Sequence, residues 1–183
     1  TDVKKSTGTA TKKIVLVGVF GAISTVLMFL SFNVPFIPTF VKLDFSDLPV
    51  LLGGYILGPV YGSFIAIIKI LLNFVYNGSM TYGIRETVNL IGSLSFMLPA
   101  VILYQRNRNF KTAIMSLIVG TIAATVVLLT ENYFVMFPLY ATAMNFPMEK
   151  IVAAAHALYP YVTDLSSLMT FALLPFNIIK FGL

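Results

Sequence analysis

The chain has 183 residues, of which 58% are hydrophobic and only 10% charged, against about 25% charged in ordinary soluble domains. With a mean hydropathy of +0.91, this composition excludes a soluble globular protein and describes an integral membrane protein. The net charge of +5 then reads as basic segments facing an anionic leaflet rather than as a nucleic-acid surface, and the absence of cysteine together with a lone histidine, His156, excludes disulfides, thiolate chemistry and a histidine metal cluster.

Residues 1–13, TDVKKSTGTATKK, are polar and basic, and Ile14 to Phe32 is apolar. A basic start before an apolar run also describes a secretory signal, but this run is long for one and no small-x-small cleavage pattern follows it. A retained first span at about 14–33 is expected, after a cytoplasmic tail. Gly18-x-x-x-Ala22 and Gly21-x-x-x-Thr25 put small residues on adjoining strips of that helix, which permits close backbone approach. Packing within the bundle and docking of a membrane partner are both open readings of these strips.

Next comes VKLDFSDLPVLLGGYILGPVYG, Val41 to Gly62, with three charges at its start and none afterwards until Lys69. Lys and Arg concentrate at the N-terminus and in QRNRNFK, with Arg106, Arg108 and Lys111. Basic residues in short loops stay in the cytoplasm, so an even number of spans must separate these two segments. Reading the run from Leu48 to Tyr76 as one span gives three. Folding it back at Gly58-Pro59 gives four. Proline opens a helix well, and glycine suits the end of the preceding one. A hairpin is therefore predicted. Its first arm, from about Asp44 to Leu57, rises only about 21 Å against a hydrocarbon core of about 30 Å. It needs shelter from neighbouring helices, or it penetrates part of the thickness.

The expected fold is all-α: a single domain of six transmembrane helices with both termini cytoplasmic. The spans are expected at about 14–33, 45–57, 59–76, 84–104, 111–137 and 164–183, with external loops at 34–44, 77–83 and 138–163. The last loop contains FPMEKIVAAAHALY, read as a short surface helix with Asn145 as N-cap and Pro147 early in the helix. The final span ends at NIIKFGL without a basic anchor, so the natural chain is expected to continue.

A charge at a helix centre costs on the order of 2.5–3.5 kcal/mol on insertion scales, so such residues need partners or a wet cavity. The candidates are Lys69, Arg85, Glu86, Glu131, Asp164 and Lys180, with Asn73, Asn89, Asn132 and Asn177. Several of them converge on the outer half of the bundle, beneath the external loops. That is the pattern of an outward-facing small-molecule pocket. With 16 Phe and 9 Tyr around few polar groups, it suits a largely apolar ligand carrying hydroxyl or amide functions.

Structural roles compete for each residue. Lys69 can snorkel or pair, and Arg85 and Glu86 can anchor the surface. Asp164 can cap the last helix, and Asn132 and Asn177 can bond between helices. His156 is read as a surface-helix residue, and Asn77-Gly-Ser as a turn. Lys180 is assigned to function. The chain has no Walker A motif, no His-Glu-x-x-His and no Gly-x-Ser-x-Gly elbow. Neither self-powered ATP-driven transport nor an enzyme is expected.

The segments KLDFSDLPVLLGGYILGPVYGSFIAIIKILLNF, NGSMTYG, NLIGSLSF and LLPFNIIK resemble the substrate-specificity subunits (S components) of energy-coupling factor transporters, and among them the riboflavin-binding members. The Gly-Pro hairpin is common to many vitamin-binding S components. The Lys-x-Asp-x-Ser-Asp segment and the Asn-x-x-Lys ending point more narrowly to riboflavin. The resemblance implies capture of riboflavin from outside as a transported ligand, with no catalytic cofactor and no metal. It also implies transport together with a transmembrane coupling subunit and two ATPase subunits.

Family first helices carry Ala-x-x-x-Ala for docking the coupling subunit. The nearest match here is Gly18-x-x-x-Ala22, with Thr25 on the adjoining strip. The loop that closes over the ligand in this family maps to Phe40, Lys42, Leu43 and Asp44. Asn132, Asn177 and Lys180 are the expected polar contacts, with Asp164 near the mouth. Asn77, Gly78 and Gly83 would let the second external loop approach closely. Beside a membrane enzyme, against which the missing catalytic motifs argue, and an accessory assembly protein, two alternatives stay open. One is an S component for another vitamin, although thiamine would favour a tryptophan-rich site and the chain has no tryptophan. The other is an autonomous secondary transporter, which should show buried titratable groups coupled to its substrate.

Overall fold

A computed structural model describes residues 2–33, 42–78, 83–143, 147–157 and 160–182. Phe40 and Asn145 lie outside these residues. The first helix, α1, runs Asp2–Phe29, so the basic segment read as a tail is already helical; its membrane-length part is Ala10–Phe29. Two short strands follow, β1 Phe32–Asn33 and β2 Lys42–Leu43, paired antiparallel with Phe32 opposite Leu43. The remaining helices are α2 Asp47–Leu57, α3 Pro59–Asn77, α4 Ile84–Arg106 and α5 Phe110–Glu131. A π-helical turn, Asn132–Met136, joins α5 to α6, Phe137–Ala143, so the fifth span outruns its expected end. Helix α7 is Met148–His156. The last span consists of α8 Leu165–Leu168, a second π-helical turn Met169–Leu173, and α9 Leu174–Gly182. Among the described residues, five helical segments are long and apolar enough to cross a membrane, and the shorter α2 makes six.

The hairpin turns where the sequence places it. Gly58 has φ 107°, and Pro59 opens α3. That backbone region favours glycine, which has no Cβ to clash. The Gly58 N–H donates to the Gly54 carbonyl at 2.8 Å, closing α2. Lys13 Nζ sits 5.2 Å from the Tyr61 ring centre, and a Cβ built on Gly58 would lie 3.4 Å from Gln105 Nε2. The N-terminal basic segment, the hairpin turn and the end of α4 therefore share one end of the bundle, as an even number of crossings requires.

With 11 residues, α2 rises only about 17 Å. It starts three residues later than expected because Asp44 to Ser46 is not helical. It is sheltered by α1, α3 and α4. The Gly53-Gly54 pair is what lets it nest there. A Cβ on Gly62 would lie 2.9 Å from the Gly54 Cα, and one on Gly54 would lie 2.6 Å from Val101. Small residues of this kind let helix backbones approach closely in a membrane.

Around this contact Val50, Leu51, Ile65, Ala66, Met97, Val101 and Ala124 form the main core. A smaller cluster at the outer end, with Phe137, Ala155, Val162, Leu168 and Leu173, ties α7 to the last span. Pro147 is the N-cap of α7 rather than a residue inside it. His156 is exposed, with Nδ1 2.8 Å from the Val162 carbonyl. On the outside of the bundle Ile118, Ile122, Val126, Phe134 and Ile178 are exposed, as a lipid-facing surface requires.

Candidate ligand-binding site

Asp47 opens α2 and Lys69 sits in the middle of α3. Each is eleven positions from Gly58, so equal climbs of about 16 Å bring them level. Lys69 Nζ is 2.7 Å from Asp47 Oδ1, 2.7 Å from Ser93 Oγ and 3.1 Å from Ser46 Oγ. The Ser93 hydroxyl also donates to Asp47 Oδ1. Ser24 of α1 donates to the Ser46 carbonyl. Asp44 Oδ1 accepts from the Ser46 N–H at 2.9 Å and from its hydroxyl. Asp44, Ser46, Asp47, Lys69 and Ser93 are all buried.

Lys180 of α9 completes the group. Its Nζ is 3.6 Å from Asp44 Oδ2, 3.7 Å from Asp47 Oδ2 and 3.5 Å from Asn89 Oδ1. Each carboxylate therefore has one oxygen bound by its own surroundings and the other turned toward Lys180. Two lysines face two aspartates, and the cluster is neutral. Desolvating such charges is offset only by close geometry and further hydrogen bonds. Lys69 meets that requirement. Lys180 stands beyond the 2.7–3.2 Å typical of an N–H···O bond from all three neighbours, so its ammonium keeps donor capacity.

Lys180 is on the wall of a cavity of about 460 Å³ at the outer end, within the range of small-molecule sites. Asp44, Asn73, Asn89, Asn132 and Asn177 join it. Met28, Phe29, Val88, Leu128, Phe137, Leu173 and Phe176 supply apolar walls, and Lys42, Asn77, Gly78 and Arg85 also line it. Asn132 Nδ2 donates to the Leu128 carbonyl at 2.7 Å, and Asn89 Nδ2 to the Arg85 carbonyl at 3.0 Å. Each amide thus spends one of its two N–H groups on the helix and keeps the other, while the Asn89 oxygen faces Lys180. Asn73 Oδ1 is buried with no hydrogen-bond partner among the described residues. Both π-helical turns border the cavity, one through Asn132 and the other through Leu173. Turns of this type often accompany functional sites. A second, mostly apolar crevice of about 520 Å³ runs beside α2, along α5 and α9, and shares Asp44 and Lys180 with the cavity.

The structure thus brings Lys42, Asp44, Asn77, Gly78, Asn132, Asn177 and Lys180 around one space. Other expected residues go elsewhere. Leu43 is buried in the β1–β2 ladder and does not line the cavity. Gly83 begins α4 with φ 86° and is likewise off the wall. Asp164 is exposed and caps α8, accepting from the Ser167 N–H at 2.7 Å while the Ser167 hydroxyl accepts from its own N–H. These Ser167 bonds hold its carboxyl below the ordinary value of 3.8. It serves the helix start and not the mouth of the cavity.

On α1, Thr25 is buried and donates to the Gly21 carbonyl at 2.8 Å. A Cβ on Gly21 would lie 2.7 Å from Ile68. That strip packs inward, which removes Thr25 from a docking face. Gly18 has nothing within 4 Å of its Cβ position, and Ala22 is exposed. Glu86, read as a surface anchor, is buried 3.5 Å from the Arg85 guanidinium. Glu131 carries two buried oxygens without a hydrogen-bond partner among the described residues. Sequence reasoning missed Ser46, Asp47 and Ser93, and set Asn73 and Asn89 aside. The signal for Asp47 was its equal spacing with Lys69 about Gly58.

Comparison with known proteins follows the same line. Residues 12–183 match the family described as the ECF transporter, substrate-specific component. The riboflavin transporter RibU of Staphylococcus aureus (strain TCH60) is 36% identical over 169 residues, covering 92% of this chain and 82% of the relative. The riboflavin transporter FmnP of Bacillus subtilis (strain 168) is 32% identical over 170 residues, covering 92% and 84%. A solved structure described as the S component of a bacterial ECF transporter superposes with a TM-score of 0.73 at 34% identity, covering 94% of this chain and 88% of that one. Sequence and fold agree over nearly the whole length, and the chain belongs to the substrate-specific components of ECF transporters, a family of transport subunits and not of enzymes.

Proposed function

We propose that this chain is the riboflavin-binding S component of an energy-coupling factor transporter. In this reading it is a multi-pass protein of the bacterial plasma membrane that captures the vitamin at its outer face. It passes the vitamin on with a transmembrane coupling subunit and two ATPase subunits. The observation that carries the reading is the chemistry of the cavity: one under-used ammonium, Lys180, and several asparagine oxygens set among aromatic and aliphatic walls. The flavin ring is flat and largely apolar, with carbonyl acceptors and an imide N–H along one rim. Lys180 suits the acceptors. The orphaned Asn73 oxygen suits a ligand N–H or hydroxyl, since an unmet buried acceptor costs about 1–3 kcal/mol.

The relatives named as riboflavin transporters support the choice of vitamin. The open Gly18–Ala22 strip supports docking of a coupling subunit along α1. No residue has to perform chemistry. The test is binding by the purified full chain in detergent, followed by the flavin absorbance band and by quenching of riboflavin fluorescence. Saturable binding of one riboflavin per chain is expected, without uptake by vesicles that contain this chain alone. A colourless protein that ignores added riboflavin would overturn the reading.

A further inference from the structure

We propose that Lys69, which does not line the cavity, is a positioning residue for it: by holding Asp47, it keeps the Lys180 ammonium at the cavity wall. The inference rests on the riboflavin reading only for the ligand used to measure it. Asp47 links the two lysines. Its Oδ1 is engaged by Lys69 at 2.7 Å and by the Ser93 hydroxyl, and its Oδ2 faces Lys180 at 3.7 Å. With half of Asp47 satisfied, Lys180 is drawn comparably to Asp47, Asp44 and Asn89, and settles 3.5–3.7 Å from each. This balance leaves its donors open to a ligand.

Removing the Lys69 charge changes the balance in one direction. The cluster goes from neutral to negative, and Asp47 keeps only the Ser93 hydroxyl on Oδ1, with its charge no longer offset, inside a low-dielectric bundle where opposite charges attract far more strongly than in water. Lys180 is the cation within reach. It closes on Asp47 into a short ion pair and leaves the wall. Neutralising Asp47 at the same time removes the pull, and Lys180 stays beside Asp44. A purely structural role for Lys69 predicts the opposite order, because two losses from one network would then be at least as harmful as one.

The experiment compares riboflavin affinity and thermal melting of the full chain as wild type, Lys69→Met, Lys69→Arg and Lys69→Met/Asp47→Asn. In parallel, without riboflavin, modification of Lys180 by a small amine-reactive reagent is followed by mass spectrometry. Lys69→Met is expected to bind about tenfold more weakly and to show severalfold slower Lys180 modification. The double variant is expected to recover both, and Lys69→Arg to retain both. A folded double variant that is as weak as or weaker than Lys69→Met overturns the proposal, as does unchanged Lys180 reactivity in Lys69→Met.

If Lys69→Met does not fold, Ser93→Ala replaces it, since that variant frees part of Asp47 with every charge in place. A few-fold slower Lys180 modification supports the proposal, and no change overturns it. A wild type that takes no riboflavin defeats the functional reading alone, because the labelling still decides the role of Lys69.

Discussion

In the α2–α3 hairpin the polar groups are closed on one another. Lys69 is bonded at 2.7–3.1 Å to Asp47, Ser93 and Ser46, and none of these distances leaves room for a guest. On the α5 and α9 side the polar groups are held apart. Lys180 keeps 3.5–3.7 Å from its neighbours, and it lines a cavity of about 460 Å³ together with Asn132, the first residue of a π-helical turn. Both sides face the same expense of polar groups in a bilayer. Saturation makes a structural clamp, and slack makes a receptor. Changes in the hairpin should therefore act first on stability, except at Lys69, where they also reach binding through Lys180, and changes on the α5 and α9 side should act first on binding.

The sharpest way to break this contrast is Asp47→Ala. It strands Lys69 in the core, and removing one partner of a buried pair costs about 3–5 kcal/mol. The melting temperature in detergent should fall by roughly 2–4 °C per kcal/mol; an unchanged melting point would refute the clamp. Gly62→Val follows at about 1–3 kcal/mol, because the new side chain meets the Gly54 backbone. Riboflavin affinity of the folded fraction should stay near wild type.

Asn132→Leu should show the reverse signature, with affinity down about tenfold and melting little changed, read by fluorescence titration and thermal scan on one sample. Glu131→Gln should raise stability by about 1 kcal/mol, since its buried oxygens have no hydrogen-bond partner among the described residues. A fall would mean that the carboxylate has a partner in the membrane-embedded protein. Asp164→Ala should have the smallest effect and a pH signature of its own. The folded-state value lies below the ordinary 3.8, so the cap contributes fully above that value and loses its contribution as pH falls through the lowered one. Wild type and variant should melt apart at neutral pH and converge in strong acid.

Six helices were legible because charge bias and one Gly-Pro pair constrain topology without any knowledge of packing. Residues such as Asn177 and Lys180 were legible for a related reason: a polar group deep in an apolar run must be answered by something. Asp47 was not legible as a core residue. It was placed near the start of the second span and given no partner, whereas the equal arms of the hairpin set it level with Lys69. The π-helical turns had no counterpart in hydrophobic periodicity, since one inserted residue shifts a helix face without altering composition. Asp164 and Thr25 were each open to two local readings, and short-range bonds to Ser167 and Gly21 decided both.

The charge cluster also bears on assembly. The chain emerges N-terminus first, so Asp47 and Lys69 meet inside one hairpin, 22 positions apart. Asp44 waits for Lys180, 136 positions further along the chain. Until the last span is delivered, Asp44 lacks the cation that faces it among the described residues. The ion pairs that complete the cavity wall therefore form only when the sixth span arrives.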